Sequence, residues 1–172
     1  MTKFQSCLIE SQLKIVKKIS AIFFSKNLHL IFPHSLVNNY HLIPIKISNG
    51  TTSSEKPIIP YEALTPEIKE IIKGLSFNGR CAYIETAYFG GIGVQISETW
   101  ENGKKIDGPL ISYDGIENKM KYEYVTIVDG SINQALKNIG IHCQEGKDEF
   151  DTVGLGRYRS NKKIFEAYDK EQ

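Results

Sequence analysis

The sequence is poor in cysteine. Its 172 residues contain three, Cys7, Cys81 and Cys143, an odd number spread widely along the chain. They provide neither the disulfide framework of a small secreted domain nor the paired C-x-x-C spacing of a structural zinc site. We therefore expect reduced and mostly buried thiols.

An excess of charge of either sign is also missing. Lys and Arg number 21 against 20 Asp and Glu, which leaves a formal charge of +1 and no strong field to attract nucleic acid or an anionic membrane. The apolar run at residues 19–24 follows Lys14, Lys17 and Lys18, is too short to span a bilayer and precedes no small-residue cleavage site. These features predict a cytoplasmic protein with no membrane or nucleic-acid partner.

No complete nucleotide-binding motif occurs. The glycine-rich stretch at residues 90–93 matches neither G-x-G-x-x-G nor the Walker pattern. A dinucleotide-binding loop leads from a strand into a helix, whereas the residues that follow this stretch have the alternating pattern of a strand. We therefore predict that Gly90 and Gly91 form a tight hairpin turn, and we expect no cofactor.

The N-terminal part of the chain has weaker patterns. Apolar residues near helical spacing predict an amphipathic helix over residues 8–25, and LHLIF and HLIPIKI predict short strands within residues 28–47. We expect residues 1–48 to belong to the same domain as the rest. Residues 49–60 are polar and rich in turn formers, which predicts a flexible connection to the main body at residues 61–172.

The main body has clear start and stop signals. Thr65, followed by a proline and a glutamate, predicts a helix over residues 66–73 that stops at Gly74. Strands are predicted at residues 80–89, 92–100 and 122–128, with a hairpin at Asn102-Gly103. Ser131 is predicted to cap a second helix that ends before Gly140. Together these elements predict the α+β class, with an antiparallel meander and helices packed on one face.

The predicted hairpin fixes a strand register. A two-residue turn pairs Phe89 with Ile92, and therefore Glu85 with Ile96 and Tyr83 with Glu98. One sheet face then carries two carboxylates among aromatic and aliphatic side chains, namely Cys81, Tyr83, Glu85, Ala87, Phe89, Val94, Ile96, Glu98 and Trp100.

Two roles are open for these carboxylates. Two neighbouring carboxyl groups in apolar surroundings can differ in pKa and serve as the acid and the base of a small enzyme. Alternatively, Glu85 is a buried structural carboxylate held by backbone N–H groups or by an arginine, for which Arg80, Arg157 and Arg159 are the candidates. We favour the structural role, with no catalytic residues.

The segment at residues 148–159 combines carboxylates, glycines and arginines. The spacing of an EF-hand calcium loop is absent, and His142 with Cys143 has no second pair of zinc ligands, so we expect no metal. Two interpretations remain, a loop held together by ion pairs and a recognition surface, for which Tyr and Arg are well suited. The candidate partner-binding residues are Asp148, Glu149, Asp151, Arg157, Tyr158 and Arg159.

Three segments together carry a resemblance to known proteins. ETAYFGGIGVQ at 85–95, SINQALKNIGI at 131–141 and DEFDTVGLGRYRS at 148–160 resemble small bacterial proteins of uncharacterised type. Their shared pattern reads E-T-x-Y-F-G-G-x-G, then an I-N-x-A-L helix, then D-E-F-D-x-x-G-L-G-R. All three motifs lie within the main body at residues 61–172, and no residue before Pro60 takes part.

Proteins of this kind are often encoded beside secreted toxins as their immunity partners. The resemblance therefore implies an immunity protein that neutralises a cognate toxin by direct binding, and it supplies no active-site residues. A small enzyme that uses Glu85 and Glu98, or a structural or regulatory domain, remains the alternative.

Overall fold

A mainly antiparallel sheet organises the chain, as seen in a computed structural model that describes residues 2–10, 29–30, 34–35, 40–46, 60–89, 92–117, 121–157 and 166. The strands are β1 (Thr2–Glu10), β2 (His29–Leu30), β3 (His34–Ser35), β4 (Tyr40–Lys46), β5 (Cys81–Phe89), β6 (Ile92–Glu101), β7 (Lys104–Asp114) and β8 (Thr126–Ile127). Their order is β2-β4-β1-β5-β6-β7-β8, and β3 pairs with β4. Within the described ranges, no helix is both long and apolar enough to cross a membrane.

The N-terminal strands belong to this same sheet. β1 lies antiparallel between β4 and β5, so the expected helix over residues 8–25 is wrong for residues 8–10, and the remainder of that prediction falls outside the described residues. In the sequence, Cys7-Leu8-Ile9 is a short apolar run. Short apolar runs of this kind do not distinguish a strand from a helix.

The two short strands predicted within residues 28–47 are confirmed. β2 lies inside LHLIF, and β4 covers most of HLIPIKI. Residues 49–59, which make up nearly all of the predicted connection, lie outside the described residues.

The first helix of the main body, α1 (Pro66–Leu75), begins as predicted. Thr65 is its N-cap and accepts a hydrogen bond from the Ile68 N–H. The helix does not stop at Gly74 but continues to Leu75, and a 3₁₀ turn (Ser76–Asn78) follows. Because Leu75 is 1% exposed, its burial in the core favours this last helical position over termination at the glycine.

The central meander follows the predicted register. β5 pairs with β6 so that Phe89 faces Ile92 and Glu85 faces Ile96, which is the alignment expected from a two-residue turn. Gly90 and Gly91 themselves lie outside the described residues. The next turn is described: Asn102 and Gly103 have φ of 51° and 74°, the positive values that a type I′ hairpin requires.

The last strand and the second helix depart from the predictions in detail. Of the strand expected at residues 122–128, the structure forms β8 alone, which runs parallel to β7. The second helix, α2 (Ser131–Asn138), has Gly130 rather than Ser131 as its N-cap. The Ser131 N–H donates instead to Ser112 Oγ, and this contact ties the helix start to β7.

The α+β class, with a mainly antiparallel sheet and helices packed on it, is confirmed. Successive strand residues point to opposite faces, and each face is covered by a different helix rather than both helices lying on one face. On one face, α1 packs through Ile68, Ile71, Ile72 and Leu75 against Tyr83, Ile96, Trp100 and Ile111. On the other face, α2 packs through Ile132, Ala135 and Leu136, together with its C-cap residue Ile139, against Ala82 and Ile84.

Candidate functional site

Glu85 is buried on the face that α1 covers. Its side chain is 4% exposed and accepts hydrogen bonds from three successive backbone N–H groups, those of Glu62 at 2.8 Å and of Ala63 and Leu64 at 2.9 Å each. The Tyr83 hydroxyl donates a fourth at 2.5 Å. The prediction that Glu85 is buried and accepts hydrogen bonds from backbone N–H groups is therefore confirmed.

The alternative prediction, that an arginine holds the Glu85 carboxylate, is wrong for Arg80, the arginine whose side chain the structure describes. Arg80 Nε lies 2.9 Å from Glu101 Oε1, and Arg80 Nη1 donates to the carbonyl of Asn138. The side chains of Arg157 and Arg159 lie outside the described residues. Peptide dipoles and a phenol are the observed hydrogen-bond donors to the charge of Glu85.

Glu98, two strand positions from Ile96 on the same face, is held differently. It is 1% exposed and accepts hydrogen bonds at 2.8 Å each from the Tyr61 hydroxyl and from Trp100 Nε1. Lys105 Nζ lies 3.7 Å from it and is partly exposed. Both oxygens of the Glu98 carboxylate thus have partners. One of these partners, the ammonium group of Lys105, is a counter-ion in contact with solvent.

Two tyrosines connect the carboxylates. The rings of Tyr61 and Tyr83 meet edge to face, with centroids 5.7 Å apart. Burial, followed by the neighbouring carboxylates Glu98 and Glu85, raises the pKa of both hydroxyls well above the ordinary value. Both phenols therefore remain protonated donors at neutral pH.

The pKa of the Glu85 carboxyl is also raised. Burial is the largest cause, and the hydrogen bonds from Tyr83 and from the backbone N–H groups of Glu62, Ala63 and Leu64 oppose it. We assign Glu85 as ionised at neutral pH because all four of its partners are donors. A protonated carboxyl would place its own hydrogen against one of them.

A glycine allows β7 to pass close to Glu98. Gly108 has a φ of +94°, and a Cβ there would lie 2.7 Å from the carbonyl oxygen of Ser97 and 2.8 Å from the Cα of Glu98. The β6–β7 register shifts at this point, between Ser97 and Thr99. The close approach thus coincides with the irregularity in the pairing of β6 with β7.

We expect Gly108→Ala to lower the free energy of unfolding by about 2–4 kcal/mol, because it adds steric overlap with a neighbouring backbone to an unfavourable φ. Gly146→Ala is the matched control, since Gly146 has a φ of +75° and no atom within 4 Å of its Cβ position. It should cost about 1 kcal/mol. Urea denaturation of both variants measures the difference, and equal losses would contradict the close approach.

Five buried side chains are linked by hydrogen bonds and by one ring contact, namely Tyr61, Tyr83, Glu85, Glu98 and Trp100. Both carboxylates accept hydrogen bonds from donors that are themselves fixed in the core. In the described part of the chain, no group of three or more His, Cys, Asp or Glu side chains is arranged to hold a metal ion. These hydrogen bonds connect the segment that precedes α1 with the sheet.

The segment predicted as a partner surface begins with a short helix, α3 (Glu149–Thr152). Asp148 caps it by accepting from the Asp151 N–H, and it also accepts from Asn133 Nδ2. Asn133 Oδ1 in turn accepts from the Phe150 N–H. Asp148 therefore joins α3 to α2 in addition to being exposed.

The structure corrects one of the candidate residues. Glu149 is 4% exposed and forms an ion pair with Lys137 at 3.5 Å, so its carboxylate faces α2 and has little surface for a partner. Asp151 is exposed. Arg157 ends a second 3₁₀ turn (Leu155–Arg157), but its side chain, with all of Tyr158 and Arg159, falls outside what the structure describes.

An open depression of about 760 Å³ lies beside Asp148. It is lined by Asp129, by the N-cap residue Gly130, by Asn133 and Lys137 of α2, and by residues 143–149. The exposed carboxylates Asp129 and Glu145 lie in this lining and were not selected from the sequence. No periodic pattern marks them, since neither lies in a helix or a strand.

The cysteine prediction is confirmed in part. Cys81 is a buried thiol that donates to the Ile72 carbonyl, whereas Cys143 is an exposed thiol in the lining of the depression. The side chain of Cys7 is not among those described. His142 beside Cys143 is also exposed.

No protein-family model, curated protein or solved structure matches this chain. The resemblance to bacterial proteins of the immunity kind therefore stays a prediction. The geometry of the carboxylate network and of the depression is the basis on which function is argued.

Proposed function

We propose that this protein acts by binding another protein and that its partner is a cognate bacterial toxin, which it neutralises in the cytoplasm by direct occlusion. Such a role needs a complementary surface but no cofactor and no chemistry. The three motif segments that resemble immunity-type proteins support this choice of partner class.

One observation carries the proposal. Glu85 and Glu98, the pair that could have served as acid and base, are buried, and each of their four oxygens accepts from a donor within the fold. A general acid or base has to come within hydrogen-bond reach of a substrate. Residues fixed in this way support a structural role for the pair.

The depression beside Asp148 is the surface that we assign to the partner. Asp129, Glu145 and Asp148 are exposed there, and Lys147 is the exposed cation without an ion pair among the described lining residues. Lys137 is already paired with the buried Glu149. The surplus of negative charge favours a cationic surface on the partner and would speed its approach.

The predicted interface is adjusted accordingly. Asp148 and Asp151 stay in it, as do Arg157, Tyr158 and Arg159, which follow in the chain. Glu149 is removed because it is buried against Lys137.

Reversal of two exposed charges tests this surface. We expect Asp129→Lys/Glu145→Lys to weaken the complex with the toxin encoded beside this protein at least tenfold, since each change replaces attraction by repulsion at the rim of the depression. Folding should be unaffected because both side chains are exposed. The readouts are the Kd and the survival of a host that expresses the toxin.

The matched control is Glu117→Lys/Glu123→Lys. It makes the same change in net charge at two exposed positions outside the depression. An equal loss of protection in both double variants would mean that net charge rather than this surface matters. Full protection by the Asp129/Glu145 variant would remove the interface assignment.

A small enzyme that uses Glu85 and Glu98 is the second candidate. The observation in its favour is that two carboxylates lie on one sheet face with two tyrosines between them. To act on a substrate, however, this enzyme would have to open the segment that carries Tyr61. A structural or regulatory domain is the remaining alternative.

A further inference from the structure

The segment that precedes α1 presents an anion-binding arrangement. The N–H groups of Glu62, Ala63 and Leu64, three in succession, all point to the carboxylate of Glu85. Consecutive N–H groups that converge in this way form a concave site for an anion, called a nest. The Tyr83 hydroxyl, on strand β5, is the fourth donor to this carboxylate.

Contacts other than Glu85 also hold this segment. Ala63 and Leu64 are buried, and Leu64 belongs to the core under α1. Thr65, the next residue, caps α1 and accepts through its carbonyl from the Lys69 N–H. The backbone conformation of the nest is thus tied to the helix and to the core at its C-terminal end.

We propose that residues 62–64, together with Tyr83, form a preformed binding site for a small carboxylate, and that the side chain of Glu85 is its resident ligand. Truncation of Glu85 to alanine removes a methylene and a carboxylate, which is nearly the composition of acetate. The four donors would remain, facing an empty space of that size. Free acetate should therefore bind there, and this inference does not depend on the proposed function.

Chemical rescue tests the proposal. The melting temperature of Glu85→Ala is measured in sodium acetate and in sodium chloride at matched ionic strength and neutral pH. We expect acetate to raise it saturably by about 2–4 °C more than chloride does, because a ligand that binds the folded state alone stabilises it. The amide resonances of Glu62, Ala63 and Leu64 should shift over the same range of acetate concentration.

Glu85→Gln and the unmodified protein are the controls. Both fill the space, so neither should respond to acetate beyond its response to chloride. If Glu85→Ala is unfolded in chloride, the yield of folded protein after refolding in acetate replaces the melting temperature, and a higher yield than in chloride supports the site. An equal response of all three proteins to acetate, or equal yields in the two salts, would overturn the proposal.

Discussion

Replacement of Glu85 by leucine is expected to lower the free energy of unfolding by about 3–5 kcal/mol, the largest loss that we expect from one substitution. Leucine has a similar size but accepts no hydrogen bond, so the buried donors of Ala63, Leu64 and Tyr83 would lose their acceptor. Glu85→Gln keeps one acceptor and should cost about 1–3 kcal/mol.

Glu101→Gln is the matched control for this prediction. Glu101 is a carboxylate on the neighbouring strand whose side chain is 36% exposed and paired with the half-exposed Arg80. Pairs of this kind contribute little, so its loss should stay below about 1 kcal/mol. Urea denaturation measures all three variants, and a Glu85→Leu protein as stable as Glu101→Gln would show that the nest does not anchor α1.

A steep loss of stability above pH 10 is the second large effect that we expect. The pKa values of Tyr61 and Tyr83 are raised in the folded protein, first by burial, so the folded state keeps two protons that the unfolded state releases above its ordinary pKa of about 10. Their contribution to stability is therefore complete below pH 10 and lost as the pH rises. Together they should remove about 2.7 kcal/mol per pH unit.

Phenylalanine variants isolate that contribution. Tyr61→Phe and Tyr83→Phe should each reduce the slope of unfolding free energy against pH by about 1.4 kcal/mol per unit, since each removes one linked proton. Tyr124→Phe is the control, because the Tyr124 side chain is 57% exposed. Identical slopes in all three variants would contradict the buried, protonated state of the two phenols.

Part of the candidate site can be predicted from the sequence, because the side chains of a strand alternate with a period of two residues. Side chains alternate between faces, so a hairpin of known length fixes which residues share a face. The predicted two-residue turn places Glu85 and Glu98 on one face in this way, and the register of β5 with β6 agrees. The burial of Glu85 followed from the apolar residues on that face.

The partners of these carboxylates could not be read in the same way. Tyr61 and the N–H groups of residues 62–64 lie more than 20 positions before Glu85 and Glu98, in a stretch without periodicity. Their position depends on how α1 docks on the sheet, which is a long-range packing result. Arginine was a reasonable expectation because backbone donors have no signature in the side-chain sequence.

Glu149 shows a second limit of prediction from the sequence alone. Its neighbours Asp148 and Asp151 are charged, and such a cluster predicts an exposed segment. Once Asp148 caps a short helix, however, the next residue turns inward and meets Lys137 of α2. The geometry of one cap thus decides which of three adjacent carboxylates is buried.

The most direct test of the central claim, that this protein acts by binding without chemistry, uses Glu85→Gln/Glu98→Gln. The variant is first shown to be folded. Its Kd for the cognate toxin that we propose, and its protection of a host that expresses that toxin, are then compared with those of the unmodified protein. We predict a nanomolar complex, about −12 kcal/mol, and full protection by both proteins. A folded variant that binds the toxin equally well but no longer protects the host would contradict the claim and assign the carboxylates to catalysis.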